Sequence, residues 1–141
     1  MRIFLDANIL VSVLNKEYPL FTTTSRILSL ADKTRFHLYT TPVCLAIAFY
    51  FAEKKFKSAK AKSKINILCE HIYIAEVNNS CVLKTLSNAA INDFEDGLEY
   101  YAALENKCNC IITEDIDDFY FSEIEVLRSE EFFEKYMKTV W

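Results

Sequence analysis

The segment Met1–Leu10, MRIFLDANIL, decides the fold: a short apolar run, Ile3–Leu5, stops at Asp6, and a helix-compatible pattern starts almost at once. In an α/β chain this puts a carboxylate at the carboxyl end of the first parallel strand. Ligand sites of open parallel sheets lie in the crevice outside those ends, which makes Asp6 a candidate site residue. It serves equally well as a helix N-cap, accepting a hydrogen bond from a first-turn N–H. Other acids converging on the same edge would decide between the two roles.

Further strands are expected at His37–Tyr39, Ile72–Ile74, Cys110–Ile112 and Glu125–Leu127, with connections long enough for helical crossovers. The alternation implies a mostly parallel five-stranded sheet with helices on both faces, in a single domain over residues 1–141. Thr41-Pro42 has the chemistry of an N-cap followed by proline at the first helical position, so a helix is expected from about Pro42 to Lys54. Its body, Val43–Ala52, is almost entirely apolar and is expected to be buried. A second helix is expected from Asn92 to Asn106, with Glu95 and Glu99 on one side and Asp96, Tyr100 and Ala103 on another.

The composition, 52% hydrophobic and 14% aromatic, excludes a disordered chain. One glycine and two prolines leave turns to Asn, Asp, Ser and Lys. Asp6 and Asn8 interrupt the apolar run that a signal peptide would need, and no apolar stretch reaches the ~20 residues of a membrane span. A soluble cytoplasmic protein is expected. Five cysteines without a Cys-x-x-Cys pair fit neither a disulfide framework nor a zinc site, and read as small core residues.

Three carboxylates fall on one sheet edge: Asp6 after the first strand, Asp96 on the helix leading into the fourth, and Asp115 after that strand. Close carboxylates resist joint ionisation. A hard divalent cation relieves this, and magnesium or manganese takes one or two carboxylates with waters and substrate phosphates. Such a site hydrolyses a phosphodiester by activating water and neutralising charge in an in-line displacement. Each acid also has a plainer role: Asp93 as an N-cap, Asp96 in a capping box, Asp117 and Asp118 in a turn or one-turn helix. Thr113 is either an ordinary strand residue or a hydroxyl placed beside phosphate or metal water.

Phe4-Leu5-Asp6-Ala7-Asn8-Ile9-Leu10, Asn92-Asp93-Phe94-Glu95-Asp96 leading into Tyr100–Leu104, and Ile111-Ile112-Thr113-Glu114-Asp115-Ile116-Asp117-Asp118-Phe119 resemble, in order and spacing, the three conserved blocks of PIN domains. Glu125–Phe132 resembles the last strand and short helix of that family. The resemblance implies a Rossmann-like PIN fold and a Mg2+- or Mn2+-dependent ribonuclease site, as in the VapC-like toxins of type II toxin–antitoxin pairs. It implies Asp6, Asp96 and Asp115 as metal-binding acids, Thr113 and Asn8 as their supports, and Asp93 and Asp118 as outer members. RNA would be the substrate and a cognate antitoxin the partner, with a homodimer also common in the family. One position departs from the pattern: members usually carry Glu in the helix after strand two, where the best-aligned residue is Ile47, and no acid occurs between Pro42 and Ala52.

Glu53–Lys64, EKKFKSAKAKSK, sets six lysines against one glutamate in a chain of net charge −4. Lys54, Lys55, Lys57, Lys60, Lys62 and Lys64 are a surface for phosphate or a solvated helix end. Phe49, Tyr50 and Phe51 either stack on bases or fill the core, and the same segment could form a dimer face or an antitoxin groove. Two functions therefore compete: a metal-dependent endoribonuclease, and a catalytically weakened PIN-like module that binds RNA or protein. Phosphoryl transfer at Asp6 fits less well, because a haloacid-dehalogenase-type phosphatase needs Asp-x-Asp where this chain has Asp6-Ala7-Asn8, and a phospho-receiver domain needs Lys where it has Arg128.

Overall fold

In the computed structural model, which describes residues 1–137, five strands alternate with seven α-helices. The last four residues of the domain expected over 1–141 lie outside that range. The strands are β1 (Arg2–Leu5), β2 (His37–Thr40), β3 (Tyr73–Ile74), β4 (Cys110–Ile112) and β5 (Glu125–Leu127). They form one sheet in the order β3-β2-β1-β4-β5, and every pairing is parallel. The central strands β1 and β4 are buried on both faces, which is why Ile3-Phe4-Leu5 and Cys110-Ile111-Ile112 are continuous apolar runs rather than alternating ones.

The helices are α1 (Ala7–Leu14), α2 (Phe21–Ser29), α3 (Pro42–Phe56), α4 (Ser58–Cys69), α5 (Asn79–Ser87), α6 (Phe94–Glu105) and α7 (Ser129–Tyr136), with 3-10 turns at Leu30–Asp32 and Ile116–Phe119. The sheet order reverses direction between β1 and β4: β2 and β3 extend one way, β4 and β5 the other. Crossovers between parallel strands are right-handed as a rule, which for this order puts helices on both faces. Two cores reflect this. Leu38 joins the larger one with Ile27, Ala48 and Leu68, whereas its strand neighbour Tyr39 also packs on a smaller one of Ala75, Cys81, Leu98 and Ala102.

Thr41 caps α3, its hydroxyl accepting from the Cys44 N–H at 3.2 Å, and the helix runs two residues past Lys54 to Phe56. The expected burial of its whole body is corrected: Cys44, Ala48 and Ala52 are buried, while Tyr50 and Phe51 are 55% and 44% exposed. A helix packed on one side cannot hide all its faces, however apolar its sequence. With a single glycine available, Lys16, Lys57 and Lys107 take the positive φ positions where the chain turns, and Lys57 alone separates α3 from α4. All five cysteines are free thiols.

Candidate active site

Parallel pairing with Leu5 opposite Ile112 brings the next residues, Asp6 and Thr113, side by side at the carboxyl ends of the two central strands. Asp6 takes up the helix-cap role as the N-cap of α1. Its Oδ1 caps α1 by accepting from the Ala7 N–H at 2.7 Å, and its Oδ2 accepts from the Thr113 hydroxyl at 2.8 Å. Asn8, in the first turn of α1, donates its amide to Thr113 Oγ1 at 3.0 Å and to Asp115 Oδ2 at 3.2 Å, while its Oδ1 accepts from the Glu114 N–H. The Asp115 N–H closes the network on Thr113 Oγ1 at 3.1 Å. Thr113 and Asn8 thus tie the acid of β1 to the acid of β4.

These residues open into a cavity of about 410 Å³ whose lining includes Asp6, Asn8, Glu95, Asp96, Asp115 and Asp118, with Ile47 and Phe51 from α3. Asp93 is the N-cap of α6 and accepts from the Asp96 N–H at 3.1 Å. Asp118 sits in the 3-10 turn after β4. Burial, then the charges of Asp93, Asp6, Asp118 and Glu95, push the Asp96 carboxyl up to about 7. Glu95 and Asp118 are raised too, by partial burial and then by neighbouring aspartates.

Glu99 belongs to the same acidic centre and was not among the residues picked out from sequence. It is fully buried, its Oε1 accepts from the Cys44 thiol at 3.0 Å, and its Oε2 finds no hydrogen-bond partner among the described residues. Burial, then Cys44 and Asp6, push its carboxyl well above the ordinary glutamate range. Potential ligand atoms of Asp6, Cys44 and Glu99 lie within 4.8 Å of one another, as do those of Glu95, Asp96 and Glu99. The expected separation of Glu95 and Glu99 from Asp96 is therefore corrected. A spacing of three or four residues puts them on neighbouring positions of one helical surface, and that was the signal available in the sequence.

The lysines stand apart from the acids: none of Lys54, Lys55, Lys57 and Lys60 lines the cavity. Lys54 lies over the Tyr50 ring at 4.2 Å, Lys60 and Lys64 lie over the Phe56 ring at 4.8 and 4.5 Å, and Lys55 donates to the Asn15 carbonyl. They cluster where α3 ends and α4 begins, past Ile47 and Phe51 in the chain. The group of Glu95, Asp96 and Glu99 is all-oxygen, and with the donor-free buried oxygen of Glu99 it fits what a hard divalent cation requires.

The family profile of the PIN domain matches residues 2–117, and these include Asp6, Asp96 and Asp115. The chain belongs to the PIN-domain family. It is similar to Ribonuclease VapC1 of Aquifex aeolicus (strain VF5), 26% identical over 139 residues that cover 96% of this chain and 95% of the relative. The fold resembles that of VapBC2 from Rickettsia felis, solved bound to a promoter DNA fragment, with a TM-score of 0.66 and 21% identity over 91% of this chain and 98% of that one. It also resembles Mycobacterium tuberculosis VapC20, a Sarcin-Ricin loop cleaving toxin, with a TM-score of 0.65 and 14% identity over 86% of this chain and 98% of that one. Among the described residues, no helix of this PIN domain is long and apolar enough to cross a membrane.

Proposed function

We propose that this PIN domain is a divalent-metal-dependent endoribonuclease that hydrolyses RNA phosphodiesters in the cytoplasm, and that it is the toxin of a type II toxin–antitoxin pair. The convergence of Asp6, Asp96 and Asp115 on one cavity at the switch point of the sheet carries this reading. Likeness to a VapC ribonuclease and to VapBC structures supports the substrate class and an antitoxin partner. Asp6, Asp96 and Asp115 would hold Mg2+ or Mn2+, which when bound supplies an activated water and neutralises charge in the in-line displacement.

The chain's own residues do the rest. Thr113 and Asn8 fix the orientation of Asp6 and Asp115, so the acids keep their places as charge builds up on the scissile phosphate. Asp96, pushed up to about 7, holds a proton part of the time at neutral pH, which lets the acids stand together before a positive charge arrives. Phe51, exposed at the cavity rim, presents a ring on which a base can stack. Lys54, Lys55, Lys57 and Lys60 beyond it offer phosphate contacts that the acidic cavity cannot.

The test is cleavage of structured RNAs by the purified chain with Mn2+ or Mg2+, beside EDTA and an Asp6→Asn control. Metal-dependent product that the control fails to make is expected. Equal product from both, or none from either, sinks the ribonuclease reading. The second outcome points to a PIN-like RNA- or protein-binding module, which the non-acidic Cys44 and Ile47 on the site-facing side of α3 favour.

A further inference from the structure

The reaction proposed above leaves Glu99 unused, although it lies deepest in the acidic centre. α6 carries it one turn beyond Asp96, and the packing of α6 aims it toward Asp6 and the start of α3. A fully buried carboxyl needs a counter-charge or complete hydrogen bonding to be tolerated. Glu99 has half of the latter: the Cys44 thiol occupies Oε1, and apart from a carboxyl–carboxyl contact with Asp6, which is itself an acid, Oε2 has no donor. Of the two close groups of potential ligands, one with Asp6 and Cys44 and the other with Glu95 and Asp96, Glu99 is the member common to both. A buried carboxyl oxygen without a donor, on the residue that the two groups share, is where a cation would be received.

Resting on the metal-dependent reading, we propose that Glu99 is a carboxylate ligand of the divalent cation, supplied by α6 in place of the acid that α3 lacks at Cys44 and Ile47. Cys44 is then a positioning residue: its thiol holds Oε1 and leaves Oε2 to the cation. This differs from a buried glutamic acid that merely fills the core, for which the isosteric amide would serve as well.

The experiment is Mn2+ binding to the purified full chain without RNA, read by electron paramagnetic resonance of free Mn2+, for the unaltered chain, Glu99→Gln and Asp6→Asn. At least a tenfold loss of affinity in Glu99→Gln is expected, with circular dichroism unchanged. Binding by the unaltered chain that Glu99→Gln retains overturns the role of Glu99 and leaves the metal reading standing. No binding by the unaltered chain overturns both. If Glu99→Gln does not fold, a chain with Glu17→Gln and Glu95→Gln, both exposed positions, is grown on carboxyl-13C glutamate. A 13C hyperfine coupling to Mn2+ then supports the assignment, and its absence overturns it.

Discussion

Thr113 donates its hydroxyl proton to Asp6 Oδ2 across 2.8 Å, joining residues 107 positions apart in the chain. The same oxygen atom of Thr113 accepts from Asn8 and from the Asp115 N–H, so one buried hydroxyl orients the Asp6 carboxylate and anchors the Asp115 backbone, while Asn8 holds the Asp115 carboxylate. Thr113→Val keeps the shape and removes the hydroxyl. Stability should fall by about 1–2 kcal/mol, because buried polar groups lose their partner, and metal-dependent cleavage should fall at least tenfold. Thr113→Ser should keep most of both, as denaturant unfolding and initial rates would show.

Asp96 gives the site a characteristic dependence on pH. Its carboxyl rises from an ordinary 3.8 to about 7 in the folded chain, so the folded state binds more protons than the unfolded state between those values. Its contribution to stability is complete below 3.8 and is lost as pH rises through about 7. Because the group is only half-buried, solvent screening reduces the effect to about 1–2 kcal/mol. The difference in Tm between the unaltered chain and Asp96→Asn, measured without divalent cations, should shift toward the variant from pH 5 to pH 8. Added Mn2+ should reverse that shift.

Gly97, the only glycine, lies beside Asp96 where α6 meets α5. A Cβ there would come within 2.3 Å of Thr85 Cγ2, and Thr85 is itself fixed by a 2.7 Å bond to the Cys81 carbonyl. Alanine would gain about 1 kcal/mol of helix propensity, but overpacking costs about 1–3 kcal/mol. Gly97→Ala should therefore lower stability by about 1 kcal/mol in urea unfolding. It should also weaken Mn2+ binding by displacing Asp96.

Phe51 is well placed to act on RNA rather than on the fold. It is exposed at the cavity rim, so Phe51→Ala should leave Tm within about 2 °C, as surface changes usually do. Loss of one stacking contact worth about 1–3 kcal/mol should raise KM for RNA roughly tenfold with little change in kcat. A fall in kcat alone would exclude the stacking role.

Ile47→Glu places a carboxylate on α3 facing the same cavity. If Glu99 already supplies the needed ligand, this change should add little Mn2+ affinity to the unaltered chain. It should recover a large part of what Glu99→Gln loses, so the two effects will be non-additive, as expected for residues sharing one ligand.

Much of the architecture was legible because local chemistry and global fold agree. Apolar Ile3–Leu5 ending in Asp6, Thr41-Pro42 before α3, and Asp93 before α6 each announce a boundary that the structure keeps. That Asp6, Asp96 and Asp115 share one edge was legible for the same reason, since each stands just after a strand or in the first turn of a helix, and all three line one cavity. Tyr50 and Phe51 were not, because apolar residues in a helix look alike until one face finds its neighbour. Glu99 was legible only in part: its spacing places it near Asp96 on the helix surface, but nothing local says that Cys44 of α3 will bury it.

By itself the sequence determined the order of the elements, the strand-end acids and the family pattern they form, since these depend on spacing along the chain and on side-chain chemistry. Only the tertiary structure decided which acids meet, because that depends on the register of Leu5 with Ile112 and on how α6 packs against α3. That packing buries Glu99 against Cys44 and turns a helix residue of no special appearance into the deepest group of the site.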